Sequence, residues 1–526
     1  MEPVIRKLPL GIQDFEKLRT TNNVYVDKTD YLYRLVSEEK PFFLGRPRRF
    51  GKSLFISTLK AYFLGKKHLF EELAIDALEK DWIEYPVIYI DFNKGNCYSL
   101  QSIIAVLEAI LSDYENQWGI TEKSSELSVR FSTLIKVANT KSGKKVVVLI
   151  DEYDKPLINS MDEPQTNKDL LKFLKGFYGV LKAMDYCLRF VFLTGVTKFS
   201  QVSIFSDLNQ LIDISLDDQF AGICGISETE LLQYFKPELQ ALADKRKMTF
   251  DATCVEMKKR YDGYVFAIDG ENMYNPFSVL NVFFKLHFGD YWFETGTPTF
   301  LVLALKNAQY DIRKFNDDVT VAARFLNNYR VGESDLTPLL YQSGYLTIKS
   351  YDEEMNTYTL GFPNEEVKYG FLNELVPAYA PPWGLDVSFS AVSFVKAIRS
   401  GQIDSFLTLL KAFYASIPYD LEDKRDKDEK YYQMIFYLIF TLMGQMTHTE
   451  VKSADGRTDA VVKTADSIYV FEFKMDDRAT AEDALAQINN KGYMIPYIAD
   501  SRRLVKIGVE FSIQERGLKR WLTEII

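Results

Sequence analysis

Residues 41–64, PFFLGRPRRFGKSLFISTLKAYFL, constrain the fold more than any other stretch of the chain. A short continuous apolar run ends in glycine, and a basic loop then closes on Gly-Lys-Ser. Apolar residues follow at helical spacing. This is the order of a buried strand, a phosphate-cradling loop and a helix, in which main-chain N–H groups and the helix dipole converge on an anion. The usual spacing is glycine, four residues, then Gly-Lys-Ser/Thr. Here five residues separate Gly45 from Gly51, and three of them are arginine.

Runs of the same texture recur at 86–92, 145–152, 188–195 and 211–216, alternating with helical stretches. Continuous rather than alternating apolarity marks strands covered on both faces, so residues 41–216 are expected to form a parallel sheet with crossover helices. From about residue 226 to 400 helical patterns dominate, with aromatic-rich segments at 291–301 and 339–348 best read as core. The charged run 420–430 marks an exposed boundary, and a hairpin-like stretch occupies 451–474.

The net charge of −10 excludes a global basic field, so any nucleic-acid contact must be local. Cys97, Cys187, Cys224 and Cys254 share no metal or disulfide spacing, and three histidines leave little for a metal centre. The first 18 residues carry no signal-peptide pattern. The longest uncharged run, 431–446, falls short of the ~20 residues that span a bilayer. A buried helix, no membrane partner and a cytoplasmic protein are the corresponding expectations.

In the first constellation Lys52 reaches the outer phosphates and the Ser53 hydroxyl holds Mg²⁺. VVVLIDE supplies Asp151 to the same metal and Glu152 to orient or deprotonate the attacking water. Thr194, at the tip of a third apolar run, is placed to sense the γ-phosphate. Asp154 is expected to be a local structural cap. Gly-Lys-Ser alone is common by chance; the following helix, the strand ending in Asp-Glu and the strand ending in Thr make the combination specific.

RPRRFGKSL, DEYDKP, LTGVTKFS, YDGY, YWFETGTPTFL and GFPNEEV, in this order, resemble the AAA-ATPase-like family of bacterial proteins. There an NTPase domain of the wider AAA/STAND type is fused to a C-terminal nuclease-like domain. The resemblance covers nearly the whole chain. It implies that arginine replaces the first loop glycine, so the loop runs from Arg46 through Pro47, Arg48, Arg49 and Phe50 to Gly51, Lys52, Ser53 and Leu54. VYVDKT (24–29) matches a further family motif, implied to close over the nucleotide. An arginine at position 46 restricts the backbone and adds charge beside the phosphates, which predicts tight binding and slow turnover. Arg48 and Arg49 are expected to contact phosphates in cis or to reach a neighbouring subunit.

The second constellation lies in GRTDAVVKTADSIYVFEFK, 456–474. With TADS as the turn, Lys463 faces Ile468, Val461 faces Val470 and Asp459 faces Glu472. Lys474 shares the face of Glu472. Opposed carboxylates with Cβ atoms ~4.5–5.5 Å apart repel unless a cation lies between them. A shared Mg²⁺ relieves this, and Lys474 then activates water or steadies a phosphate. This is the PD-(D/E)xK nuclease pattern, with Gln487 and Tyr493 following it. Glu429 and Glu450 are candidates for a further acid.

The expected fold class is α/β: a P-loop NTPase parallel sheet with helices on both faces, a mainly helical middle region and a C-terminal α/β restriction-endonuclease-like domain. The expected boundaries are 1–226 for the ATPase, 227–405 for the middle or lid region and 406–526 for the nuclease-like domain. ATP and Mg²⁺ are the expected cofactors. Nucleic acid, DNA ahead of RNA, is the expected partner, and a homo-oligomer is left open. The expected activity is ATP hydrolysis with Mg²⁺-dependent nucleic-acid cleavage; the alternative is a nucleotide-dependent switch or scaffold with an inactive nuclease fold.

Overall fold

The computed structural model describes residues 7–95, 97–198, 210–293, 301–302, 304–305, 310, 319–326, 335–379, 387–416, 434–441, 450–452, 459–512, 514–515 and 517–526. The chain divides into two compact units, Met1–Thr295 with Thr320–Val367, and Gly296–Val319 with Lys368–Ile526.

The first unit is built on β1 (Pro41–Gly45), β2 (Val87–Asp91), β3 (Val146–Asp151), β4 (Leu188–Gly195) and β5 (Ile212–Asp213), in the order β2-β3-β4-β1-β5. Every pairing is parallel, and all six residues of β3 are buried. The apolar runs therefore do form the doubly covered sheet they suggested. Helices Lys52–Phe63, Leu100–Gln117, Leu127–Ser142 and Pro164–Ala183 connect these strands. Register aligns Gly45 with Gly195 and Asp91 with Asp151, which gathers the carboxyl ends of the strands where open α/β sheets bind ligands. The last strand is shorter than the run 211–216 because Ser215 leaves the ladder, its hydroxyl accepting from the Gly45 N–H at 2.8 Å.

Beyond the sheet, β6 (Ile226–Ser227) pairs with β7 (Met273–Tyr274), while β8 (Val319–Ala322), β9 (Thr347–Asp352) and β10 (Thr357–Gly361) form a small sheet. Helices Glu228–Arg246, Phe250–Tyr261 and Pro276–Lys285 share one apolar core. The first of these opens on a Ser227/Glu230 capping box and is kinked at Phe235, two residues before Pro237.

The second unit centres on a mixed sheet of β11 (Glu450–Lys452), β12 (Ala460–Lys463), β13 (Ser467–Met475), β14 (Arg503–Ser512) and β15 (Gly517–Ile525), in that order. Only the β13–β14 pair is parallel, and the connection between them carries helix Ala481–Asn490. Two apolar clusters form, one including helices Val387–Arg399 and Ile403–Ser416, the other including Ile488 of the crossover helix. Residues 434–441 are helical, with 435–441 buried; no described helix is long and apolar enough to cross a membrane.

Candidate functional site

Gly51 sits at φ +94° as the residue before helix Lys52–Phe63, a conformation that glycine adopts without the Cβ penalty. Arg49, at φ +69°, takes the same left-handed region with a side chain. The loop thus turns sharply enough for Lys52 to fold back beneath it. The Lys52 ammonium, 3% exposed, donates to the carbonyls of Arg46 (3.0 Å) and Pro47 (3.1 Å) and lies 3.4 Å from Glu152 Oε1. It is already desolvated, and a phosphate would have to replace these partners.

Asp151 is almost fully buried at the end of β3. Its Oδ1 accepts from the Thr194 hydroxyl at 2.6 Å, whereas Oδ2 has no hydrogen-bond partner among the described residues. Burial pushes its pKa up to about 6, and the Glu152 charge adds to this; the Ser53 and Thr194 hydroxyls and Lys52 oppose it. A buried carboxylate oxygen without a partner, beside a serine hydroxyl, is a hard-oxygen donor set that suits Mg²⁺. Glu152, at φ +54°, projects its carboxylate to Lys52.

Asp154 differs from expectation. It precedes the short helix Lys155–Ile158 but makes no side-chain cap bond. Instead its Oδ2 accepts from the N–H groups of Val196 (3.0 Å) and Thr197 (2.6 Å) and from the Thr197 hydroxyl (2.8 Å), tying the exit of β4 to that of β3. Thr197 gave no sequence signal of its own beyond its place in LTGVTKFS.

Arg46 is also corrected in one respect. Its side chain is buried, and its guanidinium donates to the carbonyls of Gly45 (2.9 Å), Ser215 (2.7 Å) and Phe220 (3.1 Å), 4.3 Å from the Phe266 ring centroid. Its charge is committed to these carbonyls and is not free for a phosphate. Its neighbours are gripped as well. The Arg48 carbonyl accepts from Trp292 Nε1 at 3.4 Å, and the Arg49 guanidinium lies 4.8 Å from the Phe277 ring. Phe50 packs edge-to-face on Tyr264 and Phe266, and its carbonyl accepts from Gly225 N–H at 3.2 Å. The side chains of Arg48 and Arg49 are otherwise exposed.

Beside Gly51 and Leu54 opens a largely apolar cavity of about 100 Å³, walled in part by Val24, Tyr25 and Val26 of the VYVDKT segment and by Pro276. Lys28 of that segment is ion-paired with Glu230 at 2.5 Å, which joins the VYVDKT segment to the helix after β6.

In the second unit the hairpin register is Lys463 with Ile468, Val461 with Val470 and Ala460 with Phe471. Asp459 immediately precedes β12, and its Oδ2 accepts from the Phe473 N–H at 2.7 Å, one residue from Glu472. Glu472 is 3% exposed; its Oε1 accepts from Lys474 Nζ at 2.9 Å and from Gln487 Nε2. The same amide donates to the Tyr493 hydroxyl at 3.2 Å. Gln487 reaches Glu472 because helix Ala481–Asn490 presses on Gly508, which pairs with Glu472 across β13–β14. A Cβ at Gly508 would lie 2.4 Å from the Ala481 carbonyl oxygen. The sequence reading overlooked this glycine, although an isolated Gly in an apolar strand run is a signal of close approach.

Glu429 lies outside the described residues. Glu450 pairs with Lys463, so its backbone stands about 13 Å along the strand from Asp459. No group of three or more metal-ligating side chains occurs among the described residues.

Comparison with known proteins agrees with both halves. A family model described as predicted AAA-ATPase matches residues 9–205, and one described as PD-(D/E)XK nuclease superfamily matches 427–521. A protein of Azotobacter chroococcum mcd 1, described by its place in the vnfD 5′ region, is 36% identical over 528 residues, covering 99% of each chain. Among solved structures, the Aeropyrum pernix ORC2 protein in its ADPNP-ADP complexes is 11% identical, over 66% of this chain and 93% of its own. Its TM-score of 0.25 carries no weight for the fold. With a full-length relative and both domain models in the expected order, the chain belongs to the family that joins an AAA-ATPase-like domain to a C-terminal domain of the PD-(D/E)XK nuclease superfamily.

Proposed function

We propose that the protein binds and hydrolyses ATP, and that its nucleotide state regulates Mg²⁺-dependent cleavage of nucleic acid, DNA in the first instance, by the C-terminal domain. The observation that carries the cleavage reading is the hydrogen-bonded cluster of Glu472, Lys474, Gln487 and Tyr493, with Asp459 bonded beside it. A buried carboxylate held by a lysine and an amide has little use in a purely structural hairpin. In this reading Asp459 and Glu472 would hold Mg²⁺, which would polarise the scissile phosphate. Lys474 steadies that phosphate or the attacking water, and Gln487 keeps Glu472 aimed.

In the nucleotide half, Lys52 takes the outer phosphates, and Ser53 and Asp151 would hold Mg²⁺. Glu152 orients the water, while Thr194 reports the γ-phosphate through its bond to Asp151. The loop residues Arg46–Leu54 contribute mainly through their main chain, and the cavity beside Gly51 is sized for part of the base. Residues 1–226, 227–405 and 406–526 would serve as ATPase, lid and nuclease.

The rival reading, a nuclease fold that binds without cutting, draws on the presence of two rather than three acids among the described residues. The deciding experiment is cleavage of labelled DNA and RNA by the full chain with Mg²⁺ or Mn²⁺, with and without ATP. Lys474→Ala should abolish cutting and spare ATP hydrolysis. No cutting of any substrate by the folded parent would leave only the binding reading.

A further inference from the structure

Helix Ala481–Asn490, which carries Gln487, runs directly into a tip whose surface is wrong for water. Tyr493 returns to the cluster through its bond from Gln487. Met494, 6% exposed, anchors the tip in a core with Val461, Val470 and Leu504. The chain then makes a tight turn at Ile495–Tyr497, closed by Ile495 N–H to Gly492 O (3.0 Å) and Tyr497 N–H to Met494 O (2.9 Å) and stiffened by Pro496. That turn holds Ile495 and Ile498 outward, each 68% exposed. Two neighbouring isoleucines on an ordered, anchored turn are a surface feature unlike singly scattered apolar residues.

Basic groups flank the tip. Lys463 Nζ lies 5.5 Å from the Tyr497 ring centroid, and Lys491 is exposed at the end of the helix. The nearby acid Asp500 is engaged by Arg502 at 2.6 Å. An apolar tip between lysines fits a strand whose base faces are bare and whose phosphates lie to either side. A duplex hides those faces, and a phosphate backbone alone gains nothing from isoleucine.

We propose that the 493–498 turn is a base-contacting platform that makes the C-terminal domain prefer single-stranded or unpaired nucleic acid over duplex. The inference rests on the nuclease-domain reading above and adds its substrate class. One or two unstacked bases lie against Ile495 and Ile498, while the adjoining phosphates lie toward Lys463 and Lys491.

The test uses the full chain in EDTA, with a labelled single-stranded oligonucleotide of about 16 nucleotides, as DNA and as RNA, and the matching DNA duplex, read by anisotropy. Ile495→Ser/Ile498→Ser should weaken single-strand binding about tenfold and change duplex binding by less than about twofold. Ile495→Tyr should restore or tighten single-strand binding, because an aromatic face stacks on bases; a folding defect would not give this gain. Unchanged single-strand binding in the serine variant overturns the platform and leaves the nuclease reading standing, as does an equal loss on duplex. A change of oligomeric state in the serine variant, read by light scattering, also overturns it, since the tip would then be covering another copy. A parent that binds and cuts no nucleic acid defeats the nuclease reading itself and this inference with it.

Discussion

Asp151 shows how a single residue can be costly to the fold and useful to the site. Its folded pKa of about 6 stands above the ordinary carboxylate value of 3.8, with burial as the chief cause. A raised carboxylate pKa means that the folded protein holds the proton more tightly than the unfolded chain. The associated stability is present below pH 3.8 and is lost as pH rises through about 6. Asp151→Asn keeps an oxygen for the Thr194 hydroxyl and removes the buried charge. It should raise stability at pH 7.5 by about 2–3 kcal/mol, read as a higher Tm, with the gain vanishing near pH 4. The same variant should lose ATP hydrolysis. In the parent, protons compete for the metal-binding form of Asp151, so Mg²⁺-dependent nucleotide affinity should fall as pH drops below about 6. A flat affinity between pH 5 and 7 would remove Asp151 from the metal's shell.

Among the secondary elements, the phosphate loop is bound tightly to the segment that follows the sheet. Its unusual residues are handles: Arg46 for the turn after β5, Phe50 for the aromatic pair 264/266 and the Arg48 carbonyl for Trp292. Trp292 is in turn held by Glu366, whose carboxylate accepts its N–H at 2.9 Å and the Ser278 hydroxyl at 2.8 Å. Burial pushes the Glu366 pKa up to about 8, with Asp290 adding repulsion. The raised value means that stability is lost as pH climbs through about 8, because ionisation leaves a buried charge that the bonds from Trp292 and Ser278 only partly offset. The stability of the parent should therefore fall above pH 8, and Glu366→Gln should flatten that alkaline limb in a series of Tm against pH. These fasteners explain what was legible in the sequence and what was not. The runs 41–45 and 188–195 became strands residue for residue, and the TADS turn fixed the 461/470 and 463/468 pairs, because period and turn chemistry are local. The bonds from Arg46 to Phe220 and from Trp292 to Arg48 join residues far apart in sequence, and no local pattern announces such partners. At Gly508 the isolated glycine does announce a close approach, but not that the neighbour is Ala481. Gly508→Ala should cost about 1–3 kcal/mol by overpacking and, by moving Gln487 off Glu472, depress cleavage more than ATP hydrolysis.

For the molecule as a whole, the question is whether two sites in one chain answer to each other. The nucleotide site lies in the unit that contains the sheet β1–β5, and the Glu472 cluster in the unit that contains β11–β15. A ligand shifts an equilibrium only by its difference in affinity for two states, so regulation requires that ATP and ADP favour different states of the first unit. The loop is the element placed to make that difference, because Lys52 holds the Arg46 and Pro47 carbonyls and must leave them to take a phosphate. In the proposed coupling, freed carbonyls would alter the loop, and its handles would carry the change to Phe220, Tyr264, Phe266 and Trp292. If this couples the sites, cleavage rates with ATP, ADP and no nucleotide should differ by about five- to 150-fold, the span of typical coupling energies. Lys52→Ala should collapse the three rates to one value while leaving cutting itself intact, and Phe50→Ala should shrink their spread while ATP still binds. Three equal rates in the parent, with both activities present, would mean two independent enzymes sharing a chain. Equal rates in Lys52→Ala alone, with the parent's spread intact, would assign control to the loop.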